Sequence, residues 1–339
     1  MRVFKGAVIG CGFFSRHHVE AWRRMPNVRI VAACDSRLER ARMVCERAYP
    51  SAETMLDTED LDFVDIVSRS ETHLDLVSQA AQRGLAMICQ KPMAPDWATA
   101  CRMVEAAEAN RVRLMIHDNW RWQPWYRAAR KMIVEGDIGS PVSYGFRCRW
   151  KDGAGDAPYA KQSYFRDLRR FIIDETLVHH IDTARFLFGE IQSVYASAMR
   201  VNPRIKGEDH AILTVRHTAP VMGWLHGHSF VALEDAGPSL DEAVFEGESG
   251  SIRVSATGEI WSGYKKIWTQ DFSTGYRGDS VYNTLVHFIQ CLETGERFET
   301  EAREYLEKTY AVVEAAYASV ESKRQVAIAE IVASERNAK

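Results

Sequence analysis

Three groups of residues have types and spacings that could do chemistry. Gly10-Cys11-Gly12-Phe13-Phe14-Ser15 follows the apolar run KGAVIG. This G-x-G-x-x-S pattern suits a turn that opens a helix, where glycines let a backbone approach a pyrophosphate at the helix's positive end. Asp35 ends the run VRIVAACD twenty residues after Ser15, the spacing of a carboxylate that takes ribose hydroxyls. Such a carboxylate favours NAD and repels the extra phosphate of NADP, although Arg37 could accept that phosphate if Asp35 turned aside. The second group is Lys91, between the apolar run AMICQ and Pro92. The proline restricts Lys91 to an extended conformation, and the run before it sets an ammonium at the carboxyl end of a parallel sheet, where ligands bind. The third is DETLVHHID, Asp174 to Asp182. Read as a helix, it puts Glu175, His179 and Asp182 at i, i+4 and i+7 on one face, with Leu177, Ile181, Ala184 and Phe188 in a separate apolar stripe. Hydride transfer from a carbinol needs a base for the hydroxyl proton and a cation for the charge developing on oxygen, and His179 and Lys91 are of those types. On their own, the same residues also fit a solvated helix face and a surface loop lysine.

The elements that must hold these groups alternate in the first third of the chain. Short β-branched runs (KGAVIG, VRIVAACD, 61–68, 86–90, RLMIHD) give five strands, separated by helical patterns such as HHVEAWRRM and THLDLVSQAAQRG. That is βαβ alternation, hence a parallel, doubly wound α/β sheet. Asp96 precedes a helical spacing of Ala100, Met103, Val104 and Ala107 and is an N-cap candidate. The rhythm changes near residue 122, predicting a dinucleotide-binding domain over 1–122 and an α+β domain over 123–339. In the latter, a helix at 174–188 precedes SVYASAMRV, HAILTVRH, VMGWLHGHSF, DEAVFEGESGSIRVS and KKIWTQDF, read as strands of a largely antiparallel sheet; the tail returns to helix.

Composition narrows the function classes. The 339 residues suffice for two domains at roughly 150 residues each. A chain 46% apolar and 26% charged, with 10 Pro and 21 Gly, is neither disordered nor collagen-like. Forty-three Lys and Arg against 46 Asp and Glu, dispersed and netting −3, lack the electrostatic footprint of a nucleic-acid binder. No apolar stretch approaches the roughly 20 residues of a membrane span, and the N-terminus has no signal-like apolar run. Seven cysteines, odd in number and without a C-x-x-C pair, read as free thiols of a reducing cytosol. His226 and His228 point to one side of a strand, but no third ligand is apparent, so no metal is expected. Trp120, Trp122 and Trp125 could wall a sugar pocket or form core at the domain junction.

Together these pieces resemble the Gfo/Idh/MocA family of NAD(P)-dependent sugar oxidoreductases. Gly10 and Gly12 match its fingerprint, Gln90-Lys91-Pro92 its E-K-P element, and Asn119 to Pro124 (NWRWQP) its N-x-R-F-x-P element. Glu175 to Asp182 match its D-x-G-x-H-x-x-D helix, and Glu248 to Ile252 resemble its E-G-S-I turn. The resemblance implies a Rossmann domain followed by an open sheet whose exposed face commonly makes the oligomer contact, here a homodimer or homotetramer. It implies that Lys91 holds and polarises the reacting hydroxyl, His179 is the acid/base, and Glu175, in place of the family's aspartate, orients or charge-tunes that histidine. Phe13, Phe14, Gln90 and Asn119 would join Gly10, Gly12, Asp35 and Arg37 around the cofactor. Trp120, Arg121, Trp122, His180 and Asp182 would line the substrate pocket with Lys91, as would Arg166 at the end of the variable segment 151–166. Arg69-Ser70-Glu71-Thr72-His73 stands where the family often has T-P-x-x-H, so His73 carries over and Ser70 is its cofactor-side neighbour. Gln90 for glutamate removes a negative charge beside Lys91, and Leu177 for glycine would narrow the pocket. The Q-K-P element, HDNWRWQP, RFII, ARFLFG and RVNPRIKGED are most similar to a branch that oxidises a branched aldofuranose, D-apiose, at its anomeric carbon to a lactone. A polyol or inositol dehydrogenase, and a catalytically silent NAD-binding sugar sensor, are the alternatives.

Overall fold

The structure, a computed structural model, describes residues 2–230, 239–271 and 274–337. The chain forms two compact units, Met1–Asn119 with Phe272–Glu307, and Trp120–Asp271 with Lys308–Lys339.

The first unit begins with β1 (Phe4–Ile9), α1 (Ser15–Arg23), β2 (Val28–Cys34), α2 (Leu38–Val44), β3 (Ala48–Tyr49) and α3 (Ala52–Thr58). It continues with β4 (Phe63–Ile66), α4 (His73–Gln82), β5 (Ala86–Gln90), α5 (Trp97–Ala109) and β6 (Leu114–His117). The strands are all parallel in the order β3-β2-β1-β4-β5-β6, the doubly wound order of dinucleotide-binding domains. Reversal of the winding between β1 and β4 opens a crevice at their carboxyl ends. Asp96 caps α5 as its sequence suggests, accepting the Thr99 N–H at 2.8 Å. The two-residue β3 and the short α3 were not predicted: neither is long enough to display a period.

In the second unit, α6 (Pro124–Glu135) and β7 (Pro141–Trp150) lead to α7 (Val178–Phe188). Then come β8 (Ile191–Met199), β9 (His210–His217), β10 (Met222–His228), β11 (Ser239–Gly247), β12 (Gly250–Val254), β13 (Ile260–Ser262) and β14 (Lys265–Trp268). The pairs in this sheet are antiparallel apart from β10 with β7. Along β9, Ala211, Leu213, Val215 and His217 are buried while Ile212, Thr214 and Arg216 are exposed, so one face is core and the other open.

The chain then returns to the first unit with α8 (Ser280–Thr294) and the single turn α9 (Ala302–Glu304). Val281, Leu285, Phe288 and Ile289 of α8 enter the core that holds Val8, Trp22 and Phe63. The predicted second domain ran unbroken from 123 to 339; the contacts instead group Phe272–Glu307 with the nucleotide-binding unit, because the apolar stripe of α8 fills that core. A π-helical turn (Tyr305–Tyr310), α10 (Ala311–Ser322), β15 (Val326–Ala327) and α11 (Ile328–Asn337) end the chain. β15 closes the second sheet beside β8, and Ser319 of α10 accepts the Ala196 N–H at 2.9 Å.

Candidate active site

The turn between β1 and α1 needs its glycines for two different reasons. Gly10 has φ +93°, and a Cβ there would lie 2.7 Å from the backbone of Val67 and Ser68. Gly12 has no atom within 4 Å of its would-be Cβ, so the turn faces open space. Ser15 fills the third motif position and donates its hydroxyl to the Gly12 carbonyl at 2.7 Å. No side chain caps α1; the His17 N–H turns back to the Phe14 carbonyl at 3.1 Å, leaving those of Ser15 and Arg16 for an anion. Asp35 binds both ends of this arrangement: Oδ2 accepts the Cys11 N–H and Oδ1 the Arg37 N–H, each at 2.8 Å. Each oxygen keeps a second lone pair for a ribose hydroxyl. An open turn, a free helix end and an anchored carboxylate fit the pyrophosphate and ribose of NAD. Arg37 is exposed. Phe13 lies under the Arg16 guanidinium at 4.1 Å, and Phe14 packs edge-on against His18 and Tyr276.

Other expected cofactor neighbours are tied into this unit. Ser70 opens a short turn (Ser70–Thr72) ahead of α4. His73 is fully buried, with Nδ1 3.1 Å from the Met93 carbonyl oxygen and Nε2 3.2 Å from that of Ser68. Burial pulls its pKa down, and its ring joins the segments after β4 and β5 rather than opening to solvent. Asn119 donates its amide to Ser280 Oγ at 2.7 Å. Lys91 is half-buried past the end of β5, and its backbone N–H donates to Gln90 Oε1 at 3.0 Å.

In the second unit the helix predicted over 174–188 is two structures. Ile172–Leu177 is a π-helical turn, with the Val178 N–H donating to the Ile173 carbonyl, and α7 succeeds it. The wider turn means that Glu175, His179 and Asp182 do not follow the regular α-helical i, i+4, i+7 geometry read from the sequence. Glu208 latches the start of the turn. Its Oε1 accepts the N–H groups of Phe171 at 3.0 Å and Ile173 at 3.2 Å and the Tyr317 hydroxyl at 2.6 Å, while its carbonyl takes the Ile172 N–H. Asp174, on the turn, is buried with Oδ1 unpartnered, and burial pushes its pKa up to about 8 against the opposing pull of Arg170.

His179 lies flat on Trp120, ring centroids 4.7 Å apart and planes 4° from parallel. His180 is buried edge-on to Trp120 and Phe146. Arg121 and Asp182, both expected to face substrate, hold each other: Nε donates to Oδ2 at 2.6 Å and Nη2 to Oδ1 at 2.7 Å, with Asp182 fully buried. Thr309 donates to Oδ1 at 3.1 Å and itself accepts from Arg185 at 2.6 Å. Trp122 lies under the Arg127 guanidinium at 3.6 Å, and Arg166 sits half-buried in the turn Ala160–Asp167. Of the three tryptophans weighed between pocket and core, Trp120 and Trp125 are buried. His226 and His228 do have a histidine neighbour, His210, whose Nε2 is 3.1 Å from that of His226. Among the described residues no group of His, Cys, Asp and Glu is arranged to hold a metal ion.

Sequence reasoning missed Glu208 and His117, and took His17-His18 as a polar entry to the first helix, where His18 is in fact fully buried. Only the pairing of strands shows that His117 ends β6 beside Gln90 at the end of β5.

Residues 4–117 match the oxidoreductase family with an NAD-binding Rossmann fold, and residues 126–253 match the GFO/IDH/MocA C-terminal domain. The chain is 37% identical to the D-apiose dehydrogenase of Paraburkholderia graminis, over 95% of this chain and 89% of that one. It is 32% identical to the D-apiose dehydrogenase of Rhizobium rhizogenes, over 97% and 98%. An oxidoreductase from Agrobacterium radiobacter, solved with NAD+, L-tartaric acid and magnesium, superposes with a TM-score of 0.87 at 32% identity, covering 97% of this chain and 99% of that one. With its NAD-binding Rossmann domain and its matching second domain, the chain belongs to the Gfo/Idh/MocA family of oxidoreductases.

Proposed function

We propose that the protein is an NAD-dependent sugar dehydrogenase that oxidises an aldose, a branched furanose of the D-apiose type, at its anomeric carbon to a lactone. The observation that carries this reading is the likeness of nearly the whole chain to two D-apiose dehydrogenases, in a sequence that keeps both Lys91 and His179. When bound, the nicotinamide supplies the hydride acceptor. The Lys91 ammonium holds the reacting hydroxyl and stabilises negative charge on its oxygen. His179 takes the hydroxyl proton, and the carbon–oxygen bond becomes a carbonyl as hydride leaves carbon. Glu175 orients or charge-tunes the imidazole; His180, Trp122 and Arg166 contact the sugar, while Arg121 and Asp182 support the pocket through each other. Asp35, with lone pairs left for a ribose, favours NAD over NADP.

The partner chain in this reading is a second copy. Tyr195, Met199, Ile212 and Met222 are exposed on the open sheet face, an apolar patch of the kind that self-association covers. A homodimer or homotetramer is expected, and a monomeric mass in light scattering would contradict it. The seven cysteines are unpaired, as suits a reducing cytosol, and among the described residues no helix is long and apolar enough to cross a membrane.

The test is a panel of aldoses and polyols, offered with NAD and NADP separately, with the product identified. Reduced NAD with a lactone that hydrolyses to an acid is expected. A ketone would move the protein to the polyol or inositol class, and tight cofactor binding without reduction on any sugar would make it a sensor.

A further inference from the structure

Beneath Lys91 lies a buried polar chain that the proposed hydride and proton transfers do not use. Gln90 is 6% exposed, and His18, His117 and Asp65 are fully buried. Gln90 Nε2 lies 3.0 Å from His18 Nε2 and 2.9 Å from His117 Nδ1, while Oε1 accepts the Lys91 backbone N–H at 3.0 Å. A backbone amide nitrogen can only donate, so the atom facing Lys91 must be the oxygen and the atom facing both imidazoles the NH2 group. That group gives one hydrogen to each ring, so His18 Nε2 and His117 Nδ1 are both bare acceptors. The proton of His18 then sits on Nδ1, which donates to Asp65 Oδ2 at 2.9 Å beside the Trp22 indole N–H at 2.7 Å. Hydrogen-bond directions are thereby fixed from β4 through α1 to the end of β5.

The amide also excludes charge. A proton on His18 Nε2 would face the Gln90 NH2 group, donor against donor, and the two imidazoles stand only 4.2 Å apart. The other titratable groups packed here are Cys11 in the glycine turn, Cys89 on β5 and His17 on α1. Burial pushes Cys11 up to about 12 and raises Cys89, and burial with Arg16 pulls His17 down to about 4, so all three stay neutral around pH 7. A glutamate at position 90 could not donate to either ring. Glutamine is the side chain that satisfies two neutral histidines and a backbone donor at once.

We propose that Gln90, clamped by neutral His18 and His117, is a positioning residue that sets the backbone of Lys91 for the reaction. This deepens the dehydrogenase reading and rests on the role of Lys91 in it. The test is Gln90→Glu in the holoenzyme, with Lys91→Ala as control. Neutral His117 can meet the introduced carboxylate by turning its proton to Nδ1, but His18, whose one proton is committed to Asp65, can bond it only by taking up a second proton, which low pH supplies. The ratio of kcat in Gln90→Glu to wild type is therefore expected to rise about tenfold from about pH 9 to about pH 6, with KM for NAD little changed. The melting-temperature deficit of the variant should shrink over the same range, since stability held by a proton bound only in the folded state is present at low pH and lost as pH rises. If the deficit shrinks but the kcat ratio is flat, while Lys91→Ala is inactive, the clamp is structural only and the proposal is overturned with the dehydrogenase reading intact. Lys91→Ala as fast as wild type would overturn both. Should Gln90→Glu not fold, His117→Asn, which keeps an acceptor near the Nδ1 position, is expected to retain kcat within about threefold, and His117→Leu to lose about tenfold. Equal rates in those two variants would overturn the proposal.

Discussion

The Trp120 indole and the His179 imidazole are stacked within 4° of parallel, one residue along from the Arg121 that grips Asp182. The stack fixes the plane of the imidazole, and the aromatic face would favour the imidazolium formed in the proposed proton transfer, an effect of about 0.5–2 kcal/mol. Trp120→Leu should therefore lower kcat about threefold to thirtyfold with NAD affinity kept. Steady-state kinetics with cofactor titration measure both, and an unchanged kcat would detach Trp120 from the chemistry.

Arg121 and Asp182 are a buried bidentate pair, so removing one partner strands the other's charge. Asp182→Ala should cost about 3–5 kcal/mol of unfolding free energy in a denaturant titration. Replacing both, Arg121→Met with Asp182→Leu, should recover most of that loss while activity stays impaired. A single variant as stable as wild type would mean that Arg121 finds other compensation.

Asp174 gives stability a pH dependence whose sign is fixed. Its carboxyl holds a proton up to about pH 8 in the folded chain, whereas the unfolded side chain releases it near 4. The folded state thus binds the extra proton between those values, and this contribution is lost as pH rises from about 4 to about 8. Asp174→Asn removes the proton but not the shape. Its melting temperature should gain on wild type steadily across that window; parallel curves would contradict the assignment.

Asp35 anchors the glycine turn and, in the proposed site, would offer its remaining lone pairs to ribose. Asp35→Ala gives up two charge-assisted hydrogen bonds, each of about 1.5–3 kcal/mol, so KM for NAD should rise at least tenfold with kcat at saturation nearly kept. Preference for NAD over NADP should fall with it. A variant with wild-type KM and preference would remove the carboxylate from cofactor selection.

How much of this was legible in sequence varies with the range of the interaction responsible. The Rossmann unit was, because each of its long strands and helices carries its own period and Asp35 stands at a spacing set by one βα unit. The N-cap at Asp96 is equally local. The break in the helix at Ile172–Leu177 was not legible: its start is held by Glu208, thirty-odd positions away, and a hydrophobic period cannot register a distant carboxylate. For the same reason the sequence could not show that Asp182 and Arg121 pair with each other in the folded chain. The transfer of α8 into the nucleotide-binding core was hidden too, since its apolar stripe says that it packs and not against what. Gln90 was visible as a departure from a motif, yet its reason lay in His18 and His117 on neighbouring elements.

Oxidation at the anomeric carbon is tested most directly by isotope. Turnover of D-apiose deuterated at C1, with NAD, should move the label into the reduced nicotinamide, leave an unlabelled lactone and slow under limiting chemistry. Deuterium retained in the sugar while NAD is reduced, or no reduction at all, would contradict hydride transfer from that carbon.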